Sequence, residues 1–207
     1  MSATGQVQRL LELGAHELAG VSARAFAAHA ASLPDSTGAT LAVHPTLIPA
    51  AQLATLLRLN DRPGFVVVDL SDLGEFTPID GLVIPDRPLY LVEDIERGDE
   101  MRNWSPAEAL PAINGRGRGP LTISEGVSWL LQQPGELERN RCFMTIGSRK
   151  RTGTTLDART PAIWISNGTG RDGSQNRGAP KVGWCWAGNR HTWLGFASAS
   201  RRIPLAA

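Results

Sequence analysis

The sequence predicts one α+β domain, and three observations support this fold class. The first half of the chain carries helix signals around a strand–helix–strand pattern. Two capping boxes then indicate helices near the middle of the chain. After Pro134 the pattern changes to short strands separated by breaks rich in Gly, Asn and Ser. Because helices and strands are segregated along the 207 residues, we expect a single α+β domain over residues 1–207.

Two helices are predicted near the start of the chain. The apolar residues of segment 7–13 fit a short helix that ends at Gly14. Ser22 is a suitable N-cap for a second helix, which would extend to Leu33 and turn Phe26 inward. Both helices would cover one side of the domain.

A βαβ unit is predicted next. Residues 40–44 have the pattern of a strand, and Pro49 suits the first position of a helix that would run to Leu59. Residues 61–64 form a turn signal before the apolar run 65–69. Because the joints are short, we expect the two strands to be parallel and the crossover to be right-handed.

The middle of the chain contains a strand and two helices. Residues 88–95 are typical of a strand. Ser105 with Glu108, and Thr122 with Glu125, have the spacing of capping boxes. These pairs predict helices over about 105–113 and 122–132.

A mostly antiparallel sheet is predicted for the last third of the chain. Its strands are expected over residues 141–147, 161–166, 181–187 and 191–198. The segments between them, about 149–160 and 167–179, are predicted to be mobile loops. The second loop is rich in Gly, Ser and Asn and should be poorly packed.

An aromatic hairpin is the most informative prediction in this region. Gly188 and Asn189 stand between two strand patterns, as in a two-residue hairpin turn. That register would set Trp184 opposite Trp193. Since side chains alternate between faces, one face would carry Trp184, Trp186, His191 and Trp193.

Three interpretations of this aromatic face remain open. The indoles could seal the sheet against the helices, as large aromatic residues commonly do. They could instead form the wall of a ligand pocket, with His191 as its polar group. Stacking of single-stranded nucleic acid is the third interpretation, although the sequence lacks the basic track that such grooves need.

An acidic cluster at residues 93–102 is the second candidate feature, because site residues often lie at strand ends. It could equally be a solvated turn with ion pairs. Together the two features give candidate catalytic residues and candidate ligand-binding residues. The catalytic candidates are His191, Asp94 and Asp99, and the ligand-binding candidates are Trp184, Trp186, Trp193, Arg97 and Arg102.

Cysteine, histidine and glycine patterns argue against metals and cofactors. Cys142 and Cys185 do not form a disulfide framework, and four histidines without a Cys-x-x-Cys motif do not suggest a zinc site. No Walker loop, Gly-x-Ser-x-Gly motif or dinucleotide fingerprint is present. We therefore expect no metal and no cofactor. A Cys–His catalytic pair could use only Cys142, since the hairpin register separates Cys185 from His191.

Charge and hydropathy limit the partners. The formal net charge is +1, which provides no field to attract a polyanion, so no nucleic-acid partner is expected. Residues 1–11 lack a basic cluster followed by an apolar stretch, and no apolar run approaches the ~18 residues of a membrane span. We expect a cytoplasmic protein with no membrane partner.

Several motifs resemble those of a family of uncharacterised actinobacterial proteins that carry a domain of unknown function. The motifs are Pro85-Asp86-Arg87-Pro88 with Tyr90, residues 96–103, Cys142-Phe143-Met144, and residues 179–189. The resemblance extends from the N-terminal helices to about Arg201. It implies no activity, and it assigns no catalytic residue.

The leading functional hypothesis is a small-molecule-binding protein, in one form an enzyme of specialised metabolism. Its pocket would lie between the aromatic hairpin and the loop at residues 93–103. A cyclisation or isomerisation would need only an aromatic cavity and one acid or base. The alternative is a non-catalytic interaction module whose exposed tryptophans anchor a partner.

Overall fold

The computed structural model describes residues 2–31, 33–34 and 38–203, and it confirms the α+β class. The α-helices are α1 (Ala3–Glu12), α2 (Ala15–Leu18), α3 (Ala23–Ala28), α4 (Ala50–Leu53), α5 (Pro106–Gly115) and α6 (Ile123–Gln132). The longer strands are β1 (Thr40–Val43), β2 (Phe65–Val66), β3 (Leu89–Glu93), β4 (Cys142–Met144), β5 (Arg159–Ile165), β6 (Pro180–Trp186), β7 (Leu194–Phe196) and β8 (Arg201–Ile203).

Shorter elements join these. Two-residue strands pair Arg58–Leu59 with Arg62–Pro63, Thr77–Pro78 with Ser148–Arg149, Gly119–Pro120 with Ser198–Ala199, and Arg151–Thr152 with Thr155–Leu156. Single turns of 3₁₀ helix cover Ala54–Leu56, Val68–Leu70, Leu73–Glu75, Asp99–Met101, Pro134–Glu136, Gly170–Asp172 and Ser174–Asn176.

Two sheets form the framework. The first has the order β1-β3-β8, and both of its pairings are antiparallel. The second has the order β7-β4-β5-β6-β2. Its central pairs, β4 with β5 and β5 with β6, are antiparallel, whereas the outer strands β7 and β2 each run parallel to their neighbour. The predicted antiparallel sheet is therefore a mixed one.

Helix α6 lies between the two sheets, and all ten of its residues are buried. It contacts β1 of the first sheet and β5 of the second. Gly126 permits the close approach to the second sheet, because a Cβ atom there would lie 2.7 Å from Cγ2 of Thr145 and 3.3 Å from Cδ1 of Ile163. A helix buried on every side must satisfy its polar side chains within the protein.

Three polar side chains of α6 are held by other elements. Ser128 Oγ accepts a hydrogen bond from the backbone N–H of Val43 in β1, at 3.0 Å. Gln132 Nε2 donates to the carbonyl of Gln6 in α1, at 3.2 Å. Glu125 binds a strand of the first sheet in an ion pair described below. The polar residues thus tie α6 to its neighbours at several points.

The helix predictions were correct in type and less accurate in length. Both capping boxes form, at Ser105 of α5 and at Thr122 of α6. Helix α3 begins after the predicted N-cap Ser22 but ends at Ala28. Beyond Ala28 the backbone makes single turns, and Ser32 lies outside the described residues.

The predicted βαβ unit was wrong. Strand β1 pairs antiparallel with β3, while β2 pairs parallel with β6, so the two strands belong to different sheets. The helix between them ends early, and the pair Arg58–Leu59 with Arg62–Pro63 turns the chain back. Residues 68–70, predicted as strand, form a 3₁₀ turn. Local spacing was compatible with the crossover, but a strand almost fifty residues after β1 took its place as partner.

The predicted hairpin at Gly188 and Asn189 was also wrong. Strand β6 pairs with β5 and β2, and β7 pairs with β4, so the two strands that flank this turn are not paired with each other. A two-residue hairpin with Gly first needs a positive φ at that Gly. Neither Gly188 nor Asn189 has one. Strand β6 pairs with β5 along its whole length and with β2 only at Lys181 and Val182, whereas the chain after the turn continues into β7, whose partner is β4.

The two predicted loops contain more structure than their composition suggested. Within residues 149–160 a short ladder forms between Arg151–Thr152 and Thr155–Leu156. Within residues 167–179 the buried Asp172 binds Lys181 Nζ at 2.5 Å and accepts a hydrogen bond from Ser166 Oγ at 2.8 Å. This carboxylate organises the second loop, contrary to the expectation of poor packing, and mobility of the loops stays a prediction.

An ionic cluster fastens residues 72–76 to the second sheet. Asp72 accepts from Arg159 at 2.7 Å and from Lys150 at 2.7 Å, and Arg159 also binds Asp157 at 2.7 Å. The Arg159 guanidinium lies 5.5 Å from the centre of the Phe76 ring. Hydrogen bonds from Arg159 lower the pKa of Asp72 from 3.8 to about 2.

Asp72→Asn should reduce the free energy of unfolding at neutral pH by about 1–3 kcal/mol, because Arg159 and Lys150 lose a charged acceptor. The pKa of Asp72 is lower in the folded state, so its contribution is present above pH 3.8 and disappears as the pH falls towards 2. Chemical denaturation from pH 7 down to pH 2 would measure this. Asp80→Asn is the control, since its side chain is 85% exposed. Equal stability of the two variants at pH 7 would contradict the assignment.

Candidate functional site

A cleft at the N-terminus of α6 has the character of a ligand pocket. Its volume is about 340 Å³, which lies in the range of small-molecule sites. We call it the α6 cleft. Its apolar and small lining residues are Pro45, Pro49, Ala50, Leu73, Gly74, Phe76, Pro78, Ile84 and Ile123, and its polar ones are His44, Thr77, Tyr90, Thr122, Ser124 and Ser148. The polar groups come from the residue after β1, from β3, from the start of α6 and from the paired strands Thr77–Pro78 and Ser148–Arg149, so distant segments of the chain build the site.

Ser124 is the polar residue of α6 that lines this cleft. Only 3% of the residue is exposed, and it lines the α6 cleft. Among the described residues, neither its hydroxyl nor its backbone N–H has a hydrogen-bond partner. Buried polar groups without a partner are rare in proteins. Two donors are therefore available at the floor of the cleft.

His44 follows β1 directly and forms one side of the same cleft. Its Nδ1 lies 3.2 Å from the backbone N–H of Thr46 and 2.7 Å from the Thr46 hydroxyl. Because the backbone N–H can only donate, Nδ1 is an acceptor and the neutral ring carries its proton on Nε2. Burial lowers the pKa of His44 below 6.5, and this effect is larger than the opposing one of the negative charges of Asp86 and Glu125, which raise the pKa. The ring is thus neutral at pH 7 and can donate through Nε2.

A buried ion pair supports the floor of the cleft from behind. Glu125 is 1% exposed, and its two oxygens accept hydrogen bonds from Arg202 Nε at 2.6 Å and Nη2 at 2.8 Å. The same carboxylate accepts from the Tyr90 hydroxyl at 3.1 Å and from the backbone N–H of Thr122 at 2.8 Å. Burial and the adjacent Glu125 raise the pKa of Tyr90, so its hydroxyl stays protonated. The negative charge of Glu125 is fully engaged inside the protein.

The opposite wall of the α6 cleft is apolar. Leu73 and Phe76 line it, and the Asp72 cluster described above holds this segment in place. A ligand in the cleft would meet donors at the helix end and hydrocarbon elsewhere. Such a division is usual in small-molecule sites.

The aromatic candidates of the sequence analysis lie elsewhere and are divided between two places. Trp184 and Trp186 make an edge-on contact with ring centres 4.5 Å apart, and Trp184 packs on the larger core cluster. Trp193 stacks with His191 at 4.8 Å. It borders a separate cavity of about 320 Å³ with Trp164 and other residues. The predicted pairing of Trp184 with Trp193 does not occur.

This Trp193 cavity is lined by Asn140, Arg141, Cys142, Trp164, Ile165, Asn167 and Trp193. The structure brings the predicted acidic segment close to it. Asp99 lies 3.4 Å from Arg141 and 3.6 Å from Arg102, and the backbone N–H of Asn103 donates to the His191 carbonyl at 3.1 Å. His191 and Asp99 thus lie on adjacent segments, although neither lines the cavity itself.

The remaining charged candidates are engaged in structural contacts. Arg97 is buried and donates to the Glu136 carbonyl, and it also lies 3.9 Å from Asp99. Asp94 lies away from this group and binds Arg118 at 2.6 Å. These side chains are held in ion pairs within the protein, in agreement with the alternative interpretation of this segment as a turn with ion pairs.

Cys142 does not have the properties of a nucleophile. It is fully buried in β4, and burial raises the pKa of its thiol well above the ordinary value. The thiol therefore stays protonated at neutral pH, which removes the reactive thiolate. Both cysteines are free thiols.

Two kinds of feature are absent from the described residues, a group of metal ligands and a membrane-spanning helix. No group of three or more His, Cys, Asp or Glu side chains there could hold a metal ion. None of the helices in residues 2–31, 33–34 and 38–203 is long and apolar enough to cross a membrane.

Sequence reasoning did not identify the α6 cleft, because its residues are separated by up to 104 positions, from His44 to Ser148. One local signal was present. The capping box at Thr122 and Glu125 placed a carboxylate at the third position of a helix that proved to be wholly buried. A buried carboxylate requires a cationic partner, and only the fold reveals that this partner is Arg202.

Arg202→Met should lower the free energy of unfolding by about 3–5 kcal/mol, because it leaves the charge of Glu125 buried and unpaired. The double variant Glu125→Gln with Arg202→Met should recover part of that loss. Arg201→Met is the matched control, since its side chain is 67% exposed and should contribute less than about 1 kcal/mol. Urea denaturation of the four proteins gives the comparison. Similar losses in the two single variants would show that the pair is not structural.

Comparison with known proteins yields a family and no activity. No curated protein and no solved structure matches the chain. A family model does match, and it covers residues 9–205, from the middle of α1 to beyond β8. The match includes both sheets, α6 and every residue of the α6 cleft. The chain therefore belongs to the family of unknown function DUF5701.

Proposed function

We propose that this protein binds a small molecule in the α6 cleft, in a manner that permits acid–base chemistry. The observation that carries the proposal is Ser124, a residue only 3% exposed that lines a cleft of about 340 Å³ and whose hydroxyl and N–H have no protein partner among the described residues. Leaving such donors unsatisfied costs stability, and a bound ligand would satisfy them. The function is thus the one expected from sequence, at a different place in the fold.

His44 is the group best suited to proton transfer. It lines the cleft, its Nδ1 is fixed by Thr46, and burial lowers its pKa below 6.5. A neutral imidazole with Nε2–H facing a ligand can polarise a carbonyl by donating a hydrogen bond. After tautomer exchange it can also accept a proton. A cyclisation or isomerisation needs no more than this group and a shaped apolar wall.

The source, the metabolic role and the cellular location of the protein are part of the same proposal. The motif resemblance supports an actinobacterial source, and we place the proposed chemistry in specialised metabolism. Two free, buried cysteines are compatible with a reducing cytoplasm.

A fragment screen by ¹H–¹⁵N NMR tests the binding proposal. We expect fragments that perturb the Ser124 amide, and we expect His44→Gln to weaken those hits about tenfold, the equivalent of one lost hydrogen bond. His191→Gln is the control, because His191 does not line the α6 cleft and its substitution should leave the hits unchanged. If no fragment perturbs Ser124, or if His191→Gln is the damaging change, the α6 cleft is not the site.

A non-catalytic interaction module is the second candidate, and one observation favours it. Trp186 is 50% exposed and Trp193 is 38% exposed, which is unusual for indoles and common for the anchors of protein interfaces. The double variant Trp186→Ser with Trp193→Ser separates the two candidates. Fragment binding at Ser124 should survive it if the α6 cleft is the ligand site. Loss of those hits would move the site to the aromatic surface.

A further inference from the structure

The N-terminus of α6 is an incompletely satisfied helix end. Its first-turn N–H groups can be followed one by one. The backbone N–H of Ile123 donates to Ser148 Oγ at 3.0 Å, and the backbone N–H of Glu125 donates to Thr122 Oγ1 at 3.3 Å. That of Gly126 donates to the Thr122 carbonyl at 2.9 Å. Among the described residues, the N–H of Ser124 has no acceptor, and it lies at the positive end of a ten-residue helix.

The Ser124 side chain provides a second and independent indication. Only 3% of Ser124 is exposed, and the residue lines the cleft. Its hydroxyl has no hydrogen-bond partner in the described part of the chain. The other three polar residues of α6 bind Val43, Gln6 and Arg202. Gln132 Oε1 is also without a partner among the described residues, but Gln132 does not line the cleft, so the Ser124 hydroxyl is the unpartnered polar group of α6 that a ligand in the cleft could reach.

The charges around the cleft determine what that ligand can be. Among the residues that the structure describes, no Asp, Glu, Lys or Arg lines it. Glu125 lies behind the floor and is neutralised by Arg202 in a two-point ion pair. Asp86 is exposed, and its negative charge raises the pKa of His44. A single negative charge on the ligand would therefore meet three donors and the helix end, whereas a phosphate dianion would find no cationic side chain to balance it.

We infer that the α6 cleft takes a small carboxylate with an apolar body, and that the carboxylate binds the Ser124 N–H, the Ser124 hydroxyl and His44 Nε2. This inference rests on the proposed function and specifies its ligand class. The apolar body lies against Leu73, Phe76 and Ile84. Three donors match the two oxygens of a carboxylate, and the positive end of α6 favours its charge.

Octanoate and octanamide form a suitable pair of probes, because they share an alkyl chain and differ in charge. Titration of each into the ¹⁵N-labelled protein should shift the Ser124 amide. We expect octanoate to bind at least tenfold more tightly than octanamide. Ser124→Ala should remove most of that preference, while octanamide binding changes little. Thr77→Ala is the control, since Thr77 lines the same cleft but is exposed and is not one of the three proposed carboxylate donors, so this variant should keep the preference.

The outcomes separate the two proposals. If octanoate and octanamide bind at Ser124 with equal affinity, the cleft is a small-molecule site but the carboxylate inference is wrong. If inorganic phosphate shifts the Ser124 amide at lower concentration than octanoate, the ligand class is wrong. If neither octanoate nor octanamide shifts that amide, an apolar carboxylate is not the ligand, and the fragment screen decides the proposed function independently.

Discussion

The ion pair between Glu125 and Arg202 is the constraint on which the rest of the structure depends. A carboxylate at 1% exposure is tolerated only with a partner, and Arg202 supplies two hydrogen bonds to it. Through this contact the last strand of the first sheet holds the start of α6. The same carboxylate fixes Tyr90 and the N-cap Thr122, so it also shapes the floor of the α6 cleft. Fold and candidate site therefore share one electrostatic anchor.

Local signals in the sequence were sufficient for the elements and insufficient for their assembly. The capping boxes at Ser105 and Thr122 located α5 and α6 because a cap is decided within four residues. Strand partners are decided by burial and by competition along the whole chain. Thus β1 pairs with β3 instead of β2, and β6 pairs with β5 instead of β7. A turn signal such as Gly188-Asn189 does not decide the pairing, because β7 has its partner in β4.

The candidate site, like the fold, could be predicted from the sequence only in part. His191, Trp193 and Asp99 do lie on adjacent segments, as the hypothesis of a shared region required. However, Asp99 is paired with three arginines and His191 stacks on Trp193. The better candidate cleft is built from His44, Tyr90 and Ser124. No periodicity or motif connects these three residues. Only the fold shows that Ser124, an ordinary residue in a helix pattern, lines a cleft with no hydrogen-bond partner among the described residues.

The position of β8 in the first sheet has a consequence for synthesis of the protein. Its partner β3 ends at Glu93, more than one hundred residues before β8 begins at Arg201. A nascent chain that has emerged from the ribosome only as far as α6 carries Glu125 without its guanidinium. Helix α6 cannot then settle between the sheets at low cost, since its carboxylate would be desolvated without a counter-charge. We conclude that the central helix docks late, after residue 203 has left the exit tunnel, and that until then the emerging chain exposes the apolar surface that α6 later covers.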